Sequence, residues 1–186
     1  MIDGGPAIET GRLLLRVPRI GDFDRFAELI GNEEAARHIG GHASRAAAWR
    51  RFLQQPGAWA LQGFGMFSVV DRDTGLWLGQ AGPWRPEGWP GNEIGYSFHP
   101  DAWGRGYATE AASAAIDWAL AHLGWQDFIH CIAPANLASQ RVATRLGSTL
   151  LGPGTLPAPY ENEPVQVWGQ SARDWTARRD GRGASC

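Results

Sequence analysis

The hydrophobic and polar positions of the chain change their spacing several times, and each change predicts a new element. Short apolar or alternating runs predict strands, whereas apolar residues three and four apart predict helices. The predicted order is strand, two helices, three strands, helix, strand, helix, two strands, which is typical of an α+β fold around a mixed sheet. The predicted strands cover about 12–17, 64–70, 76–81, 92–98, 128–133, 148–151 and 165–170.

Clear boundary signals delimit the predicted helices. In the second helix Ser44 is a suitable N-cap, and Pro56 should end it because proline has no backbone N–H and clashes with the preceding turn. The third helix carries alanines at helical spacing, which would let it lie close to a sheet. We expect residues 1–10 to be a loose lead-in and residues 177–186 to be a disordered tail. The predicted helices cover about 23–31, 45–55, 108–123 and 136–146.

The composition indicates one globular domain. A chain of 186 residues suits a single domain, which we place at 1–176, and 44% hydrophobic residues with 19% charged residues suffice for a core. The net charge of −2 lacks the basic excess that nucleic-acid binding requires. No apolar run approaches the ~20 residues that span a bilayer. We therefore expect a cytoplasmic protein with neither nucleic-acid nor membrane partners.

Cysteine and histidine give no sign of a metal site or a disulfide framework. The two cysteines, Cys131 and Cys186, are too few for either, and the five histidines lack the spacing of metal ligands. We expect His99 and His130 to be structural and Cys131 to pack as a small hydrophobic residue.

Ten tryptophans are unusual for a chain of this length, and seven of them lie between positions 59 and 125. Tryptophan fills cores and also lines ligand grooves and interfaces. Two interpretations remain open, a tryptophan-rich core and an aromatic surface near a site. A tryptophan-rich face could also be buried in a homodimer.

A glycine-rich turn is the most informative segment for chemistry. Gly104 and Gly106 lie where a predicted strand passes into a predicted helix, and Arg105 stands between them. The first N–H groups of a helix have no partner within it, so such a turn can cradle an anion such as pyrophosphate. The alternative is a tight turn in which the glycines serve only to adopt a positive φ. The segment lacks both the Lys-Ser/Thr of a Walker loop and the three-glycine dinucleotide pattern.

A second helix opening follows about thirty residues later. Asn136 is a plausible N-cap, and Ser139 lies one turn further on at the same end of the helix. Both side chains could bind a ligand there, or Asn136 could only cap the helix and Ser139 only satisfy the backbone.

In these motifs the sequence resembles the GNAT acetyltransferases, and more closely the branch that acetylates the N-termini of ribosomal proteins. The resemblance covers about residues 8–171, and the order and spacing of its motifs are highly specific. It implies a mostly antiparallel sheet whose central strands, 92–98 and 128–133, splay apart. The motifs that carry it are Glu9-Thr10-Gly11-Arg12-Leu13-Leu14-Leu15-Arg16, Glu93-Ile94-Gly95-Tyr96, Trp103-Gly104-Arg105-Gly106-Tyr107-Ala108-Thr109-Glu110-Ala111, Asn136-x-x-Ser139 and Arg145-Leu146-Gly147.

The resemblance also implies acetyl-CoA as cosubstrate. Its pantetheine arm would lie beside the strand that ends at Phe98, and Asn136 and Ser139 would flank the arm near the sulfur. Its pyrophosphate would lie on the N–H groups of Gly104, Arg105, Gly106, Tyr107, Ala108 and Thr109.

The implied reaction is direct attack of an amine on the thioester in a ternary complex. An alkyl ammonium group must first lose a proton, and Glu93 is the candidate base, acting through a water. The alternative for Glu93 is a surface carboxylate paired with an arginine. Ser139 could protonate the leaving thiolate or only position CoA.

The acceptor side is less defined. Trp84 and Trp89, in a Pro/Gly-rich loop before Glu93, are candidates for an aromatic wall beside an amine acceptor, either a protein N-terminus or a small molecule. The acidic segment 160–163 could attract a cationic acceptor or be an ordinary solvated loop. Two other functions remain open: a non-catalytic acyl-CoA-binding sensor or interaction module, and a nucleotide-binding protein.

Overall fold

The computed structural model describes residues 5–183, which contain eight strands, six α-helices and two short 3-10 helices. Among those residues no helix is long and apolar enough to cross a bilayer. The strands are β1 (Ala7–Glu9), β2 (Leu13–Arg16), β3 (Phe67–Asp71), β4 (Trp77–Trp84), β5 (Glu93–Phe98), β6 (Asp127–Ile132), β7 (Thr149–Gly154) and β8 (Val165–Ser171). The helices are α1 (Phe23–Gly31), α2 (Glu33–Ala36), α3 (Arg45–Gln62), α4 (Tyr107–Leu123), α5 (Leu137–Leu146) and α6 (Ala172–Gly183).

The strands form one sheet in the order β1-β2-β3-β4-β5-β6-β8-β7. Neighbouring strands are antiparallel except β5 and β6, which are parallel. The predicted mixed, mostly antiparallel sheet is therefore confirmed, with one strand more than predicted. The extra strand, β1, lies in the segment predicted to be a loose lead-in and pairs with β2, Ala7 opposite Arg16. Three residues are too few to show the alternation of apolar and polar positions that is typical of a strand, so the sequence pattern did not predict β1.

Strands β5 and β6 separate almost as soon as they meet. In the described chain, Glu93 and Ile129 are their one registered pair, whereas β4 and β5 share six. Where the two strands separate, Nδ1 of His130 lies 2.7 Å from the carbonyl oxygen of Ile94. This side-chain hydrogen bond replaces a backbone hydrogen bond between the strands. The predicted splay of the central strands is confirmed.

Different helices cover the two faces of the sheet. Helix α4 packs on one face together with Val69, and α1 and the first turns of α3 pack on the other together with Val70 and Trp77. Trp59, near the end of α3, belongs to the α4 face. Successive strand residues face opposite sides, which is why neighbouring valines join different clusters. The predicted alanine stripe of α4 is confirmed: Ala108 is partly buried, and the other alanines of the stripe are fully buried, namely Ala111, Ala112, Ala115 and Ala119.

Four of the ten tryptophans are buried in the core. Trp59, Trp77, Trp125 and Trp175 are buried, whereas Trp103 is 44% exposed. Of the two interpretations left open above, a tryptophan-rich core accounts for these four.

Helix α3 does not end before Pro56 as predicted but continues to Gln62. The indole of Trp59 packs against Phe67 and Trp118 and donates a hydrogen bond to the carbonyl oxygen of Met66 at 3.0 Å. This tertiary packing holds the last turns in place despite the backbone hydrogen bond that proline removes.

The C-terminal segment also differs from the prediction. Residues 177–183, expected to be disordered, belong to helix α6, and residues 184–186 lie outside the described chain. Buried Trp175 packs edge-on against Phe128 and donates from Nε1 to Asp117 at 2.7 Å, and Arg179 pairs with the same carboxylate. These contacts to α4 and β6 are long-range, so the local composition did not reveal them.

Replacing Trp175 with alanine should lower the free energy of unfolding by about 3–5 kcal/mol, the usual cost of removing a buried tryptophan. Urea denaturation measures this change, and Thr176→Ala, at the exposed neighbouring position, is the matched control with an effect near zero. Equal denaturation midpoints for Trp175→Ala and wild type would show that α6 is not anchored to the core.

Candidate active site

The turn between β5 and α4 is shaped by two glycines in the left-handed region. Gly104 has a φ of 74° and Gly106 a φ of 79°, conformations that L side chains rarely adopt. Gly106 is also the N-cap of α4 and carries no side chain that could cap the helix. Both glycines therefore have the positive φ that was expected of them. Because α4 also has no capping side chain, its first N–H groups are accessible to a ligand.

The backbone N–H groups of 104–109 have no hydrogen-bond acceptor among residues 5–183. The turn itself is exposed at 104–106, so these donors are available to a bound molecule. The positive end of the α4 dipole points the same way. Arg105 adds a guanidinium that lies 4.9 Å over the ring of Tyr107 and forms no ion pair within the described chain. An anion of the size of a pyrophosphate suits this arrangement.

Sequence reasoning assigned no role to a group of residues beside this turn. Arg12, which follows β1, donates to the carbonyl oxygen of Arg105 at 2.9 Å and pairs with Glu110 at 2.6 Å. Thr10 also donates to Glu110, at 2.6 Å. Both segments belong to motifs of the family resemblance, but only the three-dimensional contact shows that they meet.

Glu93 begins β5 and is buried, with 7% of its surface exposed. Nε1 of Trp89 donates to its Oε2 at 2.5 Å, and the backbone N–H of Cys131 donates to its Oε1 at 3.2 Å. Burial raises the pKa of Glu93 to about 7, although these hydrogen bonds act in the opposite direction. The alternative of a surface carboxylate paired with arginine is wrong, because the site is buried and its partners are neutral donors.

Trp84 and Trp89 lie beside this carboxylate. Trp84 is the register partner of Glu93 on β4, so the two side chains share one face of the sheet. Both tryptophans are partly buried. The hydrogen bond from Trp89 to Glu93 was not foreseen, and the predicted aromatic wall for an acceptor stays a prediction.

Helix α5 supplies the far side of the opening between β5 and β6. Oδ1 of Asn136 accepts from the backbone N–H of Ser139 at 3.1 Å, which confirms the capping interpretation. The hydroxyl of Tyr96 donates to the carbonyl oxygen of Ser139 at 3.1 Å and so joins β5 to α5. The Ser139 hydroxyl has no partner in the described chain, and ligand contacts by Asn136 or Ser139 stay predictions.

The neighbouring titratable groups are held neutral. His130 is 1% exposed, and burial lowers its pKa to about 4, so the neutral ring donates from Nδ1 to Ile94. Joining β6 to β5 is a structural role, and the expectation that His130 takes no part in catalysis stays a prediction. Burial first, and the Glu93 carboxylate second, raise the pKa of the Cys131 thiol. A thiol in this state is a poor nucleophile.

The loop between β7 and β8 reaches over two other segments. The Tyr160 ring lies against Gly40, and Pro157 lies against Gly88 in the loop that carries Trp89. Glu161 and Glu163 are exposed and form no ion pair within residues 5–183, as in an ordinary solvated loop.

Phe98 ends β5 in the core, and its carbonyl oxygen accepts from Trp103 at 2.8 Å.

Comparisons with known proteins agree with this geometry. The acetyltransferase (GNAT) domain family matches residues 12–149. The uncharacterized protein YkkB of Bacillus subtilis is 39% identical over 87 residues, 46% of this chain and 51% of YkkB, so the match spans about half of that relative. The crystal structure of an acetyltransferase from Agrobacterium tumefaciens superposes with a TM-score of 0.79 at 28% identity, covering 91% of this chain and 96% of that chain. RimL, a ribosomal L7/L12 alpha-N-protein acetyltransferase solved with CoA, has the same fold, with a TM-score of 0.72 at 18% identity over 89% of this chain and 98% of that chain.

Replacing Trp89 with phenylalanine should raise the pKa of Glu93 above its wild-type value of about 7, because the ionised form loses a donor. A hydrogen bond to a charged group contributes about 1.5 kcal/mol or more, so the midpoint should rise by about one pH unit. Carboxyl ¹³C NMR titration measures the midpoint, with Glu93→Gln identifying the resonance. Trp84→Phe, which removes an indole without a hydrogen bond to Glu93, is the matched control. An unchanged midpoint in Trp89→Phe would exclude this coupling.

Proposed function

Because the chain belongs to the GNAT acetyltransferase family, we propose that it moves an acetyl group from acetyl-CoA to a primary amine by direct attack in a ternary complex. The observation that carries the proposal is the layout of β5. The strand begins at a buried carboxylate, Glu93, separates from β6, and leads into the turn with unpaired N–H groups at 104–109. One strand thus connects a candidate base to an anion cradle.

The cradle fits the pyrophosphate of CoA. Gly104 leaves open space where a Cβ would project, so a phosphate could approach the backbone there. The remaining donors would be the N–H groups of Arg105, Gly106, Tyr107, Ala108 and Thr109, with the guanidinium of Arg105 as a further cation. RimL, which shares the fold, was solved with CoA, and this supports the same cosubstrate here.

The opening between β5 and β6 would take the pantetheine arm. Phe98 lies at the end of β5 nearest the cradle, and Asn136 and Ser139 lie at the start of α5. Backbone N–H groups of β5 that face the gap could polarise the thioester carbonyl. The free Ser139 hydroxyl could donate a proton to the departing thiolate.

The proton balance of the reaction assigns a role to Glu93. The amine nitrogen forms a bond to the thioester carbonyl carbon, and the carbon–sulfur bond breaks. An ammonium acceptor loses two protons: one must leave before the attack to free the lone pair, and the second leaves the nitrogen after the attack and balances the departing thiolate. A carboxylate whose pKa is about 7 accepts the first of these protons through a water more readily than an ordinary glutamate would. Its burial, the first cause of the raised pKa, is therefore useful to the chemistry.

The acceptor would be a protein N-terminus or a small-molecule amine. An α-amine, with a pKa of ~7.7–8, needs less help from a base of this strength than an alkyl amine near ~10. RimL is an alpha-N-protein acetyltransferase by name, which makes a protein N-terminus a reasonable first acceptor to test. Trp84 and Trp89 would form the wall beside the acceptor.

Gly106→Glu should weaken acetyl-CoA binding about tenfold or more in calorimetry, because its Cβ would project toward Arg12, 3.6 Å away, and the added carboxylate beside the turn would repel the pyrophosphate. Gly106→Ala, which carries the same strain at positive φ without the charge, is the matched control and should bind more tightly than Gly106→Glu. Binding of acetyl-CoA by Gly106→Glu at the wild-type affinity would place the cosubstrate elsewhere.

Glu93→Gln should slow turnover by about 10²-fold or more, as expected for loss of a general base. The loss should be greatest above about pH 7, where Glu93 is ionised and an alkyl amine is still protonated, and it should shrink toward pH 6, where Glu93 is itself mostly protonated. The affinity for CoA should not change. The measurement is CoA release against a panel of peptides and amines between pH 6 and 9. A normal rate for the variant would remove Glu93 from the mechanism, and tight CoA binding by wild type without any turnover would favour the non-catalytic sensor.

A further inference from the structure

Helix α4 carries an acidic residue where an anion site would not be expected to have one. Glu110 lies in the first turn of α4, next to the N–H groups of 104–109. A free carboxylate there would repel a phosphate and could itself occupy the donors at the helix N-terminus. Something must therefore neutralise Glu110 and hold it away.

Four donors from the hairpin between β1 and β2 hold both oxygens of Glu110. Oε1 accepts from the Thr10 hydroxyl at 2.6 Å and from the Arg12 backbone N–H at 3.0 Å. Oε2 accepts from Nε of Arg12 at 2.7 Å and lies 2.6 Å from a terminal nitrogen of the same guanidinium. Burial alone would raise the pKa of Glu110, but these hydrogen bonds and the guanidinium charge outweigh it and lower the pKa.

The other terminal nitrogen of Arg12 holds the turn itself. It donates to the carbonyl oxygen of Arg105 at 2.9 Å. In a trans peptide the C=O and the following N–H point in opposite directions, so the N–H of Gly106 is aimed away from Arg12 and toward the open side of the turn. The guanidinium also lies over the Tyr107 ring, 4.6 Å from its centre.

We propose that Arg12 is a positioning residue for acetyl-CoA: it neutralises Glu110 and orients the Arg105–Gly106 peptide so that its N–H faces the pyrophosphate. This inference rests on the proposed function, since it takes the turn to be the pyrophosphate site. Arg12 does not touch the reacting atoms in this scheme. Its guanidinium is half-exposed, and exposed ion pairs contribute little to folding stability, so its effect should appear in binding.

Calorimetric titration with CoA tests the proposal on wild type, Arg12→Gln and Arg72→Gln. Arg72 is the matched control, because it belongs to the same region, donates to Thr10 and pairs with Glu9, and is comparably exposed, but makes no contact with the turn. Arg12→Gln should raise the Kd for CoA about tenfold or more, the factor that loss of one charge-assisted hydrogen bond brings. Arg72→Gln should bind as wild type does.

Two further variants separate the proposed role from a general structural one. In Arg12→Gln/Glu110→Gln the uncompensated carboxylate is gone, so part of the lost affinity should return. Arg12→Lys keeps the charge without the planar fork and should bind with intermediate affinity. The KM for acetyl-CoA should rise in Arg12→Gln while kcat stays within about twofold.

Each outcome is decisive. Wild-type affinity in Arg12→Gln, or equal losses in Arg12→Gln and Arg72→Gln, would overturn the inference and leave the proposed function standing. A double variant as weak as Arg12→Gln would overturn the neutralisation of Glu110. Failure of the wild-type protein to bind CoA would instead overturn the proposed function.

Discussion

The separation of β5 from β6 after one registered pair is the constraint on which the candidate site depends. Backbone groups beyond that pair lose their partners across the gap, and buried backbone groups need replacements. Nδ1 of His130 supplies one by donating to Ile94, and the hydroxyl of Tyr96 ties β5 to the start of α5. Side-chain hydrogen bonds thus join β5 to β6 and to α5 where the backbone ladder is absent. A continuous ladder at this point would close the space that the proposed cosubstrate needs.

The same fold gives opposite electrostatic environments to two glutamates. Glu93 is buried among neutral donors, Trp89 and Cys131, so burial dominates and the carboxyl becomes easier to protonate. Glu110 is held by four donors, two of them on a guanidinium, so its charge is retained and compensated. This division would suit the proposed reaction, in which a proton is accepted at one end of β5 and an anion is bound at the other. A cation beside Glu93 would keep it ionised and weaken it as a base.

Elements marked by local signals could be predicted from the sequence, and elements held by distant contacts could not. The alanine stripe of α4 and the two-residue period of β5 are local, and both lie where the pattern placed them. Continuation of α3 past Pro56 and the ordering of α6 depend on Trp59 and Trp175, whose partners are far away in the sequence.

In the candidate site, too, local signals predicted some residues, whereas the roles of others depend on contacts that are distant in the sequence. The glycine turn is a local signal, and its residues lie together as predicted. The contact of Arg12 with Glu110 joins residues 98 positions apart, and no pattern within either segment indicates it. Trp89 was taken for a wall residue, because a tryptophan in a loop does not reveal that its N–H will meet a carboxylate four residues later.

Helix α4 begins without a capping side chain, and this agrees with the proposed anion site. The first N–H groups of the helix lack hydrogen-bond acceptors within the described chain, and a bound anion would supply them. A helix of 17 residues would gain about a few tenths of a kcal/mol from a Ser, Asp or Asn cap in place of glycine, yet Gly106 stands at that position. A capping side chain would bond the same N–H groups that a phosphate would use, and its Cβ would be strained at positive φ. Arg12 stabilises the turn from behind, through the Arg105 carbonyl, and so leaves the donors free. An anion site requires a turn that is held by contacts on one side and has unpaired N–H groups on the other. A turn that only connected a strand to a helix would be more stable with a capping side chain.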